Sequence, residues 1–218
     1  MVHRIVLRNI CYDDIPKIVS IQRESYPEVS SGQLYIPLFL ENHISLFREG
    51  QFCVELDGDV VASATCLIVS LEPEYAEHTW YDIISKHGNP HSKPAALGDS
   101  LYADDLVTHP KFRHLGIGTL LFNARKRVAL NYNLRRIIGG GRIPNYFKNA
   151  GKISVQEYVK KVQDGQIYDP VLGFQIRNGF KVVKVLSNYL YDPSSLNYAT
   201  FIEWITSDRD HLFTYTRK

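Results

Sequence analysis

Arg113, Gly116 and Gly118 stand in the spacing R-x-x-G-x-G, just after His109-Pro110 and just before Ile117, Leu120, Leu121, Ala124 and Val128 at helical intervals. Two glycines at the start of a helix are a poor choice for helix stability, since each costs about 0.8–1 kcal/mol against alanine in a helix interior. What they offer is bare backbone. The first-turn N–H groups have no helical acceptor and carry partial positive charge, so a phosphate fits there. Charge-assisted hydrogen bonds contribute about 1.5–3 kcal/mol each, and three or four such donors hold a pyrophosphate without a metal. Glycines kept for packing at an ordinary strand-to-helix turn are the alternative. Upstream, Asp104 and Asp105 lie in the apolar run that ends at His109-Pro110. Side chains alternate in a strand, so one of the two is expected to face a pocket.

Other chemistry is weaker. His87 and His91 have H-x3-H spacing, but Gly88, Asn89 and Pro90 between them forbid the helix that would align both rings on a metal. Cys11, Cys53 and Cys66 show no C-x-x-C spacing and read as buried thiols, with Cys53 and Cys66 placed to meet across a hairpin. Gly139-Gly140-Gly141-Arg142 could cradle a phosphate, yet no G-K-[ST] follows. Arg125-Lys126-Arg127 reads as a solvated helix face, or as an electrostatic aid to a bound phosphate.

The elements that must position these residues follow in order. Residues 3–8 alternate as a strand, and Asp13-Asp14 cap a helix carrying Ile15, Ile18 and Ile21. A second helix holds Leu38 to Phe47. Residues 51–56 and 60–69 flank Asp57-Gly58-Asp59 as a hairpin. A polar connection from Glu72 to Ser100 carries one short helical piece at Trp80 to Ile84. The fourth strand, the glycine-led helix and a fifth strand from Leu134 to Ile138 make a βαβ unit. Ser154 to Glu157 form a capping box for a further helix, a short helix closes at Gly179-Phe180, and strands over 181–191 and 198–206 complete the chain.

The stretch VTHPKFRHLGIGTLL closely resembles the acyl-coenzyme A binding motif of the GNAT superfamily of N-acyltransferases, in which [RQ]-x-x-G-x-[GA] follows the fourth strand. The resemblance implies an α/β (α+β) fold with a mixed central sheet of about seven strands, splayed between strands four and five and flanked by helices. It implies acetyl-coenzyme A as cosubstrate and no metal. Pyrophosphate would sit on the amides of Arg113, His114, Leu115, Gly116, Ile117, Gly118 and Thr119. The pantetheine arm would follow the backbone of Leu106, Val107 and Thr108. Glu24, Tyr26, Glu28 and Gly140 become candidate acceptor contacts. The block YADD resembles the YLED of polyamine-acetylating relatives and puts Asp104 where their general base lies. An aspartate near its reference pKa of about 3.9 is a weak base for an ammonium of about 10, so a raised pKa or a water relay would help. Many of these enzymes use a tyrosine acid four residues before the closing glycine. That position is Gln175, which can hydrogen-bond but cannot act as an acid, leaving Tyr168, Tyr146 or water to protonate the leaving thiolate.

Residues 139–204 also resemble the acyltransferase portion of proteins that fuse a GNAT domain to a carbon–nitrogen hydrolase (nitrilase-like) domain. The implied function is transfer of an acetyl group to a primary amine of a small molecule or peptide. A catalytically silent coenzyme-binding module, acting as sensor or docking partner for an amidohydrolase, is the alternative that Gln175 favours. Such proteins often pair through edge strands, and Tyr189, Tyr191, Phe201 and Trp204 read either as core or as a homodimer surface.

The composition agrees. The 218 residues read as a single domain, 1–218, with 44% hydrophobic and 22% charged residues, as in an ordinary globular chain. A net charge of +2 gives no basic footprint for nucleic acid. No stretch approaches the ~18 apolar residues of a membrane span, and the first residues lack an apolar leader segment, so a cytoplasmic protein is expected.

Overall fold

The computed structural model describes residues 3–27, 37–71, 73–88 and 98–206. Seven strands, β1 (Ile5–Asn9), β2 (Phe52–Leu56), β3 (Asp59–Val69), β4 (Ser100–Thr108), β5 (Arg136–Arg142), β6 (Lys181–Leu186) and β7 (Ala199–Ile205), form one sheet in the order β1-β2-β3-β4-β5-β7-β6. All neighbours are antiparallel except β4 and β5, which run parallel. That pair meets over three registers alone, Ser100 with Arg136, Leu101 with Ile137 and Tyr102 with Ile138. Beyond Tyr102 the two strands part, and β5 continues beside β7 to Arg142. This is the expected splay.

Among the described residues six α-helices cover the sheet: α1 (Ile15–Ser25), α2 (Pro37–Phe47), α3 (Trp80–His87), α4 (Ile117–Asn131), α5 (Val155–Gln163) and α6 (Pro170–Arg177). One face buries Ile18, Leu40 and Ile84 from the first three helices against Tyr102, Val107 and Ile138. The other buries Leu121, Ala124 and Val128 of α4 against Leu101, Ala103 and Ile137. A third cluster packs Tyr146, Tyr158, Val162 and Leu172 behind α5 and α6.

Several expectations change for physical reasons. Asp14 does not cap α1 with its side chain. Its carboxylate instead takes both arms of Arg8, at 2.6 and 2.8 Å, together with the Cys11 amide. Ser154 caps α5 by accepting from the Glu157 amide, without the reciprocal half of a capping box. The sixth strand stops at Leu186, because the following residues turn around buried Asp192, which gathers Arg142, Ser194 and Ser195. Cys53 pairs with Ser63 rather than Cys66, and the two thiols belong to cores on opposite faces of the sheet. Of Tyr189, Tyr191, Phe201 and Trp204, only Tyr191 is exposed.

The basic cluster is not a solvated face. Arg125 and Lys126 are buried, and Arg127 alone is exposed. The cause is a bulge in β4. Thr65 of β3 pairs with Asp105 and Cys66 with Ala103, which leaves Asp104 as an extra residue. A bulge frees backbone carbonyls from the ladder. Arg125 donates to two of them, Thr65 O at 3.1 Å and Asp105 O. Lys126 donates to Asn178 O at 2.7 Å and lies over the Trp204 ring. Replacing Arg125 by leucine strands both carbonyls, and hydrogen bonds from a charged donor contribute about 1.5–3 kcal/mol each. Urea unfolding of Arg125→Leu should therefore show a loss of about 3 kcal/mol or more.

Candidate active site

The α4 turn is built as the glycine spacing requires. Gly116 caps the helix in the left-handed region, φ 80°, and His114 is also left-handed at φ 67°. For a residue with a Cβ this conformation costs about 1–2 kcal/mol, a strain typical of binding turns. Gly116, Ile117, Gly118 and Thr119, at the helix start where amides have no helical acceptor, line a cleft of about 920 Å³. Gly118 has a second task. A Cβ there would meet the Phe174 ring of α6 at 2.7 Å, so the glycine also allows α4 and α6 to pack.

The cleft runs from this turn into the wedge between β4 and β5. Leu106, Thr108, Arg113, His114, Gly116, Ile117, Gly118 and Thr119 line one end. Leu115 points to solvent, and the Val107 side chain lies in the core behind the sheet. At the other end stand Asp104, Asp105, Gly140, Gly141, Tyr168 and Gln175. Tyr26 joins them, its hydroxyl donating to Leu106 O at 3.0 Å with the Arg142 guanidinium over its ring. Glu24 does not line the cleft; its carboxylate meets His109 Nε2 at 3.1 Å. Glu28 lies outside the described residues, as does His91. Tyr146 is packed between Tyr158 and Tyr198 in the third core cluster, away from the cleft.

The expectation that one aspartate faces the pocket and its neighbour the opposite face is corrected by the bulge, which puts both on the same side. Asp104 Oδ1 accepts from Trp80 Nε1 at 2.6 Å and Oδ2 from Thr65 Oγ1 at 3.2 Å, with His43 Nδ1 3.7 Å away. Its side chain has 0% accessible surface. Burial and the neighbouring Asp105 push its carboxyl well above the usual range, against the pull of Arg125. Burial likewise lowers His43 to about 4, so the pair is neutral rather than ionic. Asp105 accepts from Gln22 Nε2 at 2.9 Å. Burial raises it to about 6, with Gln22 and Arg125 holding it down. Two carboxyls, both raised by burial, thus stand side by side in the wedge.

Gln175 presses its amide against Gly141, where any Cβ would collide with it, and its Oε1 is buried without a hydrogen-bond partner among the described residues. An orphan acceptor in a cleft wall suits a ligand N–H. Tyr168 is exposed at the rim. Among the described residues there is no group of three or more His, Cys, Asp or Glu able to hold a metal, and no helix long and apolar enough to cross a membrane. Sequence reasoning passed over Trp80, Arg142 and Tyr189. Arg142 had a signal, a charge closing a glycine run, whereas Tyr189 looked like any aromatic core residue.

A splayed β4–β5 pair, a bulged β4 and a left-handed glycine turn opening α4 agree with the comparison to known families. The chain belongs to the acetyltransferase (GNAT) family, whose model matches residues 15–145. It is 39% identical over 206 residues to the probable hydrolase YhcX of Bacillus subtilis, covering 94% of this chain but 39% of YhcX. It is 38% identical to the uncharacterized N-acetyltransferase YkwB of the same organism, covering 92% of this chain and 88% of YkwB. Among solved structures, the fold is shared with the GphF GNAT-like decarboxylase in complex with isobutyryl-CoA, with a TM-score of 0.76, 17% identity, and coverage of 92% and 99% of the two chains. Naa50 of Arabidopsis thaliana, in complex with a bisubstrate analogue, aligns with a TM-score of 0.56 at 12% identity, over 92% and 97% of the chains.

The raised Asp105 has a measurable consequence. An unfolded aspartate ionises near 3.9, so between about pH 4 and 6 the folded state holds the proton that the unfolded state has lost, and stability falls as pH rises through that window. Asp105→Asn removes this cost. Its stability relative to wild type should rise by ~2–3 kcal/mol from pH 4 to pH 7.5, read by urea titration at both pH values.

Proposed function

We propose that this chain is an acyl-coenzyme A dependent N-acyltransferase that moves an acetyl group from acetyl-coenzyme A to a primary amine by direct attack. One observation supports the reading: a single cleft is lined both by the glycine turn at the head of α4 and by two buried carboxyls, raised by that burial, in the β4–β5 wedge. The amides of Gly116, Gly118 and Thr119, flanked by Arg113 and His114, hold the pyrophosphate. Backbone of Leu106, Val107 and Thr108 pairs with the pantetheine arm in the gap where β5 has moved away. The orphan Oε1 of Gln175 accepts an N–H from the bound substrates.

An amine enters as an ammonium and must lose a proton before it attacks. The Asp104–Asp105 pair takes that proton. Asp105 reaches the cleft with a pKa matched to neutral pH, and Asp104 shares the charge from behind. Nitrogen then bonds to the thioester carbonyl carbon, the carbon–sulfur bond breaks and the thiolate leaves. Tyr168 at the rim, or water, returns a proton to sulfur. The buried acids suit a cationic acceptor, a small amine or a peptide N-terminus.

A second reading keeps the binding and drops the chemistry. Gln175 stands where an acid is expected, and YhcX, a relative more than twice as long, is named a probable hydrolase. In that reading the chain senses or docks for a carbon–nitrogen hydrolase. Thiol release from acetyl-coenzyme A with a panel of amines separates the two.

Thr119→Glu tests the phosphate assignment. A carboxylate in the first helical turn favours the helix by about 0.3–1 kcal/mol, so folding is kept while a second anion is repelled. Calorimetric titration with acetyl-coenzyme A should show affinity reduced about 100-fold or more. Unchanged affinity would place the pyrophosphate elsewhere.

A further inference from the structure

Behind the wedge lies a hydrogen-bonded chain that the acid pair does not use. The Tyr189 hydroxyl lies 2.7 Å from that of Tyr102, and Tyr102 lies 3.3 Å from His78 Nε2. His78 Nδ1 lies 2.9 Å from Ala76 O. Both tyrosines are fully or almost fully buried, yet Tyr189 lines the cleft beside Gly140, whose missing Cβ leaves room for its ring.

Chemistry fixes the direction of this chain. A carbonyl can only accept, so His78 Nδ1 carries the hydrogen, and in the neutral ring Nε2 is the acceptor. Tyr102 therefore donates to His78. Its oxygen is left to accept from Tyr189. Every donor points from the wedge towards His78.

We propose that Tyr189, Tyr102 and His78 form a one-way proton relay that carries the second proton of the transfer out of the β4–β5 wedge. The proposal rests on the acyltransfer reading. Acylating an ammonium with loss of a thiolate releases two protons; the acid pair takes the first, and the second leaves nitrogen once the new carbon–nitrogen bond forms. That proton passes to Tyr189 oxygen while the Tyr189 proton moves to Tyr102 and the Tyr102 proton to His78 Nε2. The ring becomes an imidazolium and later releases the proton to water. No phenolate stands alone, in keeping with burial that pushes both hydroxyls above the ordinary tyrosine range. Burial and Lys184 of β6 lower His78, whereas the Ala76 carbonyl, Asp82 of α3 and Glu77 raise it, with a net shift downward that leaves the ring ready to accept.

Two measurements test it. Imidazole nitrogen–proton correlation spectra of the full chain without ligand should show His78 protonated on Nδ1 at pH 7.5, with a midpoint below 6.5, and Tyr102→Phe should shift its Nε2 resonance. Protonation on Nε2, or a resonance blind to Tyr102→Phe, would overturn the relay. Thiol release from acetyl-coenzyme A is then followed with benzylamine, spermidine and lysine as probe acceptors. Tyr189→Phe, which keeps the ring, and His78→Gln should lower kcat about 100-fold with KM for acetyl-coenzyme A within twofold. His78→Gln should leave a single fall in rate towards acid, the one set by Asp105 near pH 6. An active wild type with equally active variants would overturn the relay alone. A wild type that binds acetyl-coenzyme A but acylates none of these amines would overturn the acyltransfer reading and the relay with it.

Discussion

A guanidinium buried under a bulge organises this molecule. Arg125 supplies two displaced carbonyls of β3 and β4 with donors from the interior of α4. That contact keeps the extra residue in β4 and so puts two successive carboxyls on one face of the sheet. Its charge also holds them below the values that burial alone would impose. The first turn of α4 carries the glycine turn and its third carries Arg125. Gly118 and Arg125 stand seven positions apart, a rise of about 10 Å, so one rigid rod sets the distance between the glycine turn and the acids.

The order of elements was legible because hydrophobic period, turn residues and glycine placement agree with one another along most of the chain. The β4–α4–β5 unit and the Asp57-Gly58 hairpin are clear cases. The bulge was not legible. Strand alternation is the default, and the reason to break it is a partner sixty residues away in sequence from Thr65. For the same reason the Arg125-Lys126 pair passed for a surface face: the carbonyls that draw it inward exist only after β3 and β4 have paired. Asp14 and Asp192 show the rule from the other side. Each looks like a local cap or turn residue, and each is claimed by an arginine that folding brings close.

At the site, the glycine turn could be read from residue types because its chemistry is backbone chemistry and needs little context. The acid pair, Gln175 and Tyr189 could not, since their properties come from burial. An aspartate lifted to about 6, an amide oxygen left without a donor among the described residues and a phenol hydrogen-bonded to a second buried phenol are made by their surroundings.

The three consecutive glycines of β5 illustrate how tightly the wedge is filled. Gly139 lies against the backbone of Ala103, Gly140 against the ring of Tyr189 and Gly141 against the amide of Gln175. Each has its own neighbour, so the run is a set of three separate fits and not one flexible hinge. In descent these positions are bound to their neighbours to different degrees. A lineage that gained a side chain at 140 would have to surrender the bulk at 189, whereas one that enlarged 141 would push the flexible end of Gln175 aside and so move the orphan acceptor of the cleft.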